Sequence, residues 1–317
     1  MINFMRNFYR VLLKRAFILT VFSILFTANN VYATEEVISP EKNSLQDLSV
    51  VIASCDKYSG LWDPFFTLLF KNWPAINNGA NRDLPIFLIS NKKKFEHPRV
   101  QNISFPNEIS WSDNMLETLS QVKTKYVLYL QEDYFLTKPV NEQLLEQMLN
   151  YIKEHNAAFL EVSGFNNNAQ TTKQKVPLES SPHLAEFAKH SLYRTSLQAG
   201  IWSKDALVWL IKPGETAVEF ELASSKRSEG MRDLFLVHLD VANDPIQYIN
   251  AANGGLLLKT AIDYLHKQGI AFDPKLQPLP VDQDHKFILY KRKVVGYLKT
   301  VPYLQKIKEA IRNAINS

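Results

Sequence analysis

Apolar residues in this chain come in two alternating rhythms: short continuous runs, as in buried strands, and stripes at helical spacing. Leu48–Ser54 is the first run, and a helical face through Leu61, Phe65, Leu68 and Leu69 follows, ended by Trp73-Pro74. Leu84–Ile89, with its proline near the start, predicts a second strand and Val100–Phe105 a third. Ser112 suits a helix N-cap, Asp113 the first turn, and Met115, Leu116, Leu119 and Val122 the buried stripe, with Trp111 placed to staple onto Leu116. Tyr126–Leu130 is continuously apolar and passes into Gln131-Glu132-Asp133 without a turn residue. Asn141–Glu154 reads as a helix, Ala157–Val162 as a strand, and the polar stretch Gly164–Pro182 as a long loop. Leu192–Trp202 reads as extended, Ser203–Leu210 and Ala217–Ala223 as helices, and Leu234–Leu239 and Ile246–Ile249 as strands. A turn at Asn253-Gly-Gly255 precedes a helix over Leu256–Lys267. This order predicts an α/β fold, a mostly parallel sheet flanked by helices in a single domain over residues 48–285.

Charge divides the chain differently. The formal net charge of +4 is supplied entirely by Arg6, Arg10, Lys14 and Arg15, since no acid precedes Glu35. These basic residues lead into an apolar run, Ala16–Ala28, the length of a signal-peptide core and short for a membrane span, with small residues in Val31-Tyr-Ala33 where a signal peptidase would read. Residues 1–33 are therefore expected to be a signal peptide, or an uncleaved anchor if Val11–Leu13 extends the run, and either would place the chain outside the cytosol. Residues 34–47 read as a linker. At the other end, residues 286–317 carry eight Lys or Arg and one acid, Glu309. There Leu304, Ile307, Ile311, Ala314 and Ile315 recur on one helical face, which would dock on the domain or lie against an anionic membrane surface. The body between is neutral to acidic, which excludes a nucleic-acid binder. Cys55 is the sole cysteine, so an intrachain disulfide and a cysteine zinc site are excluded.

Candidate chemistry concentrates at one strand end. Open α/β sheets bind ligands beyond the carboxyl ends of their strands, and Glu132 and Asp133 emerge there, where a carboxylate pair can meet a metal ion or a sugar nucleotide. Cys55 lacks the histidine or helix-end setting of a reactive thiolate and reads as a small buried residue. Asp56 suits either a ligand contact or a helix N-cap. If Val218–Leu222 is helical, Glu219 and Glu221 point to different faces and one of them can face a cleft.

Ser49-Val-Val-Ile-Ala-Ser-Cys-Asp56, Trp111-Ser-Asp-Asn114, Leu130-Gln-Glu-Asp-Tyr134, Ser196-Leu-Gln-Ala-Gly-Ile-Trp202 and Glu219-Phe-Glu221, in this order, resemble the GT-A glycosyltransferase fold with its DxD site. The resemblance spans about Leu48 to Ile270. It implies a membrane-associated glycosyltransferase taking a nucleotide-sugar donor and adding the sugar to a glycan or lipid-linked acceptor. Asp133 matches the motif's last acid and would ligate Mg²⁺ or Mn²⁺, while Gln131 stands where the family has an acid and Glu132 is the candidate substitute. Ser54, Asp56, Tyr58 and Asp113 fall on the donor side with Gln131 and Glu132, and Arg194, Gln198, Gly200 and Trp202 on the acceptor side. Glu221, ahead of Glu219, would be the base that deprotonates the acceptor in an inverting reaction. An export signal sits awkwardly with a nucleotide-sugar donor in a bacterium. A non-catalytic, exported carbohydrate-binding protein on the same scaffold is the competing expectation.

Overall fold

The computed structural model describes residues 45–79, 81, 83–107, 110–163, 175–178, 181–274 and 279–281, which belong to one compact unit beginning at Asn43. The expected signal or anchor segment, most of the linker and the basic tail lie outside the described residues. Among the described residues no helix is long and apolar enough to cross a membrane.

The strands are β1 (Leu48–Ala53), β2 (Ile86–Ser90), β3 (Gln101–Ser104), β4 (Tyr126–Gln131), β5 (Tyr134–Leu136), β6 (Phe159–Glu161), β7 (Lys175–Leu178) and β8 (Ser181–Phe187). They continue with β9 (Gly200–Ser203), β10 (Phe235–His238), β11 (Tyr248–Asn250), β12 (Ala252–Asn253) and β13 (Leu256–Leu257). The helices are α1 (Trp62–Asn72), α2 (Ala75–Asn78), α3 (Trp111–Gln121), α4 (Glu142–His155), α5 (Lys204–Leu210), α6 (Ala217–Arg227) and α7 (Lys259–Lys267).

Nine strands form the main sheet in the order β3-β2-β1-β4-β9-β6-β10-β8-β7. β1 to β4 run parallel, β9 is antiparallel to both β4 and β6, and β10 is parallel to β6. All six residues of β1 are buried, as a strand covered on both faces requires. On one face Val50, Ile52, Leu128, Leu130 and Leu236 pack with Phe65 and Leu69 of α1, Leu145 and Ile152 of α4 and Leu265 of α7. On the other, Val51, Val127, Tyr129 and Trp202 pack with Met115 and Leu119 of α3, Leu207 of α5 and Phe220 of α6. Both layers present the carboxyl ends of β1, β4, β6 and β10 along a single edge, which is where the site lies.

The structure differs from the sequence reading in five places. Leu192–Trp202, read as extended, turns at Leu192–Thr195 with Tyr193 at positive φ, and only Gly200–Ser203 is strand. The cap of α3 is Ser110, which accepts from the Asp113 N–H at 3.1 Å, while Ser112 turns inward and accepts from the Glu215 N–H at 2.9 Å. Trp111, the first residue of α3, packs its ring 5.0 Å from Phe220 and 6.4 Å from Tyr129. The polar stretch expected as a loop contains β7, and β8 begins within it at Ser181; β8 pairs antiparallel with both β7 and β10. Leu256–Leu257 is a strand rather than helix, joined to β12 through Gly254 and Gly255 at positive φ, so α7 starts at Lys259.

The two sheet edges are finished differently. β7 carries Pro177 and a register shift at Pro177/Leu178. Beside β3, the Asn102 side chain accepts from the Phe95 N–H at 2.8 Å and donates to the Phe95 carbonyl at 2.9 Å.

In β9, what approaches Gly200 closely is protein. A Cβ there would overlap the Phe159 ring edge, and that ring stacks 4.2 Å from the wholly buried Trp202. Gly200→Ala is expected to destabilise the protein by about 1–3 kcal/mol through overpacking, and Phe159→Leu should restore most of the loss. Chemical denaturation of both variants and the double variant checks this; additive losses would refute it.

Candidate functional site

β4 ends at Gln131, and the following two residues form the tight connection to β5. Glu132 is buried, and its carboxyl is pushed well above the usual carboxylate range by burial and then by Asp133, with its own N–H and the Ser54 hydroxyl working the other way. Asp133 Oδ1 is sealed from solvent and has no hydrogen-bond partner. Burial holds the Asp133 pKa up to about 7, although its own N–H and that of Ala252 favour the carboxylate. Two neighbouring acids are thus kept dry with less compensation than ionised carboxylates require.

Ser54 and Tyr58 complete this side. Ser54 Oγ, just beyond β1, accepts from the Trp62 indole N–H at 2.7 Å. The Tyr58 hydroxyl is raised by burial and then by the charges of Glu132, Cys55 and Asp133, which sets it beside the acid pair. Asp56 is occupied otherwise. Its carboxylate accepts from the N–H groups of Asn91 (3.1 Å), Lys92 (3.1 Å) and Lys93 (3.0 Å), while its own N–H donates to Asn91 Oδ1 at 2.9 Å. Burial opposes its charge, but those backbone bonds prevail and its pKa is lowered. Asp56 therefore clamps the loop after β2 to the loop after β1. Asp113 likewise bonds to the Ser110 hydroxyl and accepts from the Gly214 N–H at 3.1 Å, tying α3 to the turn before α6.

Across the sheet edge runs the segment Arg194–Ala199, which enters β9. Arg194 is fully buried and donates to the carbonyls of Phe187 (3.3 Å) and Ser228 (2.7 Å), with its guanidinium 4.1 Å from the Phe235 ring centroid and Glu186 at 3.6 Å. It anchors the segment from within. Gln198 Oε1 accepts from Tyr248 OH at 2.6 Å. Leu197 lies at the centre: its carbonyl accepts from Tyr134 OH at 2.8 Å and Gln131 Nε2 at 3.3 Å, and its N–H donates to Glu221 Oε1 at 2.8 Å.

The two glutamates of α6 separate as their spacing requires. Glu219 is exposed and closes a capping box with Thr216, accepting from the Thr216 N–H at 3.0 Å. Glu221 turns inward, close enough to Tyr129, Tyr134 and Tyr193 to add to the burial that raises those hydroxyls. Ser54, Tyr58, Glu132 and Asp133 therefore gather on one side and Gln131, Gln198 and Glu221 on the other. Asp56, Asp113, Arg194, Gly200, Trp202 and Glu219 are engaged in holding the fold.

Sequence reasoning did not single out Tyr134 and Tyr248, whose rings stack 4.2 Å apart between the two sides, or Glu161, buried at the end of β6 and accepting from Ser196 Oγ at 2.7 Å. The available signal was a polar side chain within or directly following a continuously apolar strand, which must find a buried partner.

Among the described residues no group of three or more His, Cys, Asp or Glu could hold a metal ion alone. The donor set nevertheless suits Mg²⁺ or Mn²⁺, which use one or two carboxylates together with substrate phosphates. An orphaned Asp133 Oδ1 beside a desolvated Glu132 is the arrangement a divalent cation would relieve.

Because the folded pKa of Asp133 lies above its ordinary 3.8, its favourable contribution is complete below about pH 4 and is lost as the pH rises through about 7. Glu132 acts in the same direction. In EDTA, Asp133→Asn should therefore gain melting temperature relative to wild type between pH 5 and pH 8, by about 4 °C or more. A difference independent of pH would refute the uncompensated burial.

No family model and no curated protein sequence matches the chain. Among solved structures it is similar to S. aureus TarS 1-349 in complex with UDP-GlcNAc, with a TM-score of 0.45 and 14% identity over 65% of this chain and 59% of that one. It is also similar to mannosyltransferase PcManGT from Pyrobaculum calidifontis in complex with GDP-Man and Mn²⁺, with a TM-score of 0.42 and 9% identity over 62% of this chain and 55% of that one. The CMP:2-keto-3-deoxy-manno-octonic acid synthetase complexed with CTP gives a TM-score of 0.33 and 10% identity over 70% and 99%. The chain spans about three fifths of the TarS fragment, 59%. β1 to β4 run parallel, β9 lies antiparallel beside them and the acids leave β4 at the carboxyl edge, a mixed α/β arrangement of the kind that the sequence resemblance implies.

Proposed function

We propose that the protein is an inverting glycosyltransferase that moves a sugar from a nucleotide-sugar donor to a glycan or lipid-linked acceptor. The observation that carries this reading is the placement of two incompletely compensated acids, Glu132 and Asp133, across the sheet edge from an inward-turned Glu221. Two carboxylates alone would repel a diphosphate. Mg²⁺ or Mn²⁺ held by Asp133, with Glu132 beside it, would neutralise the leaving diphosphate.

The protein's own groups supply the rest. Ser54 and Tyr58 flank the acid pair where the donor would lie. Glu221 takes the proton of the acceptor hydroxyl as its oxygen bonds to the anomeric carbon, while the bond from that carbon to the diphosphate oxygen breaks on the opposite face. The Leu197 N–H, 2.8 Å from Glu221 Oε1, holds the base in place. The amino-terminal charges and the basic tail support a membrane-associated or exported enzyme whose acceptor is presented at that surface.

UDP-GlcNAc and GDP-mannose, each with and without Mn²⁺, are the probes. A donor that binds should raise the melting temperature in Mn²⁺, and Asp133→Asn should abolish that shift. Glu221→Gln should keep the shift and lose about a hundredfold in turnover. An unchanged shift in Asp133→Asn removes the donor site, and wild-type turnover in Glu221→Gln removes the base. Donor binding without turnover in the wild type would favour a non-catalytic binding protein, the reading that Gln131 in place of an acid supports.

A further inference from the structure

Gln131 is neither an acid nor idle. Its amide nitrogen lies 3.3 Å from the Leu197 carbonyl and 3.3 Å from Tyr129 OH, and both of these contacts lie on the Glu221 side of the sheet edge. The Tyr134 hydroxyl, buried at 4% exposure, donates to the same Leu197 carbonyl at 2.8 Å. Leu197 itself is 3% exposed, and its N–H donates to Glu221 Oε1. A residue whose carbonyl is gripped by the last side chain of β4 and the first of β5 therefore aims its amide at the candidate base on α6.

From this geometry we propose that Tyr134 and Gln131 are positioning residues that orient Glu221 through the backbone of Leu197; the inference rests on Glu221 being the base. The residue type at position 131 suits this role. A carboxylate at position 131 would set an acceptor against the Leu197 carbonyl, whereas an amide supplies the donor that the carbonyl needs. Tyr134 is held in plane by Tyr248, with ring centroids 4.2 Å apart and planes at 16°, so its hydroxyl has little freedom to release the carbonyl. The departure from an acidic motif is thereby explained: the side chain that would otherwise face the donor instead holds the acceptor-side segment, and Glu132 and Asp133 carry the donor side alone. Orientation matters at this point because a base displaced by a fraction of an ångström from the acceptor hydroxyl loses its advantage steeply.

The test uses the full chain with Mn²⁺ and whichever of UDP-GlcNAc and GDP-mannose is turned over, measuring nucleoside diphosphate release. Tyr134→Phe keeps the stacked ring and removes the hydroxyl; Gln131→Glu keeps the size and replaces the donor with a carboxylate. Each should leave the Mn²⁺-dependent donor thermal shift and the donor KM within about twofold of wild type while kcat falls about tenfold, the scale of one lost hydrogen bond acting in the transition state. Tyr134→Phe combined with Glu221→Gln should be no slower than Glu221→Gln alone. Independently of turnover, the Leu197 amide proton should move upfield in both Tyr134→Phe and Glu221→Gln, because its bond to the carboxylate is loosened in the first and lost in the second. Unchanged kcat in both variants, or an unmoved Leu197 amide, overturns the inference while a slow Glu221→Gln keeps the base in place. Wild-type turnover in Glu221→Gln overturns both. A stronger Mn²⁺-dependent shift with full turnover in Gln131→Glu would show that position 131 serves the donor and would also overturn it.

Discussion

Everything at the sheet edge depends on the cost of keeping two carboxyl groups out of water. β4 is a run of apolar residues paired on both sides, so whatever follows it emerges from the middle of the sheet rather than at its rim. Glu132 and Asp133 therefore start life in a low-dielectric crevice, and the surroundings offer them three backbone N–H groups and one hydroxyl rather than a cation. A fold that needed only stability would place other residues there. Retaining the acids makes the crevice receptive to positive charge and, through it, to a phosphate ligand.

The opposite side is built differently: many of its polar groups bond internally, although Arg194 Nη2 and Trp202 Nε1 are buried without a hydrogen bond. Arg194 is spent on carbonyls and a ring, Thr195 and Ser225 bond to each other at 2.9 Å, and Ser196 serves Glu161. This fixes the segment entering β9 to α6 and β6 before any ligand arrives. One side of the crevice is thus tense and the other rigid, a combination suited to drawing in a charged donor while holding a reactive carboxylate still.

Much of this was legible in the sequence because it is local. The apolar run Tyr126–Leu130 with its acidic exit defines both a central strand and a site, and helical geometry alone separates Glu219 from Glu221. The remainder was hidden because its causes are distant in the chain. Asp56 is held by N–H groups of residues 91–93, and nothing near it in sequence announces them. Arg194 looks like a ligand-binding residue until Phe187, Ser228 and Phe235 are brought around it. The β7–β8 hairpin is polar enough to read as a loop, and it becomes a strand pair because β10 offers it an edge. Gly200, expected on the acceptor side, is instead packed against Phe159.

The way the two borders of the main sheet are finished bears on how the molecule behaves in a crowd. Unpaired strand borders invite other chains to add on, the first step towards aggregation. Pro177 removes an N–H from β7 and the register shift beside it bends the ladder, so an incoming strand would find no regular row of partners. At β3 the Asn102 amide bonds to both backbone groups of Phe95 and so ties the preceding loop to that strand. The β7 border of the main sheet is in this way a poor template for growth, and the long, slow assembly of its non-local pairings is shielded there from templated misassociation.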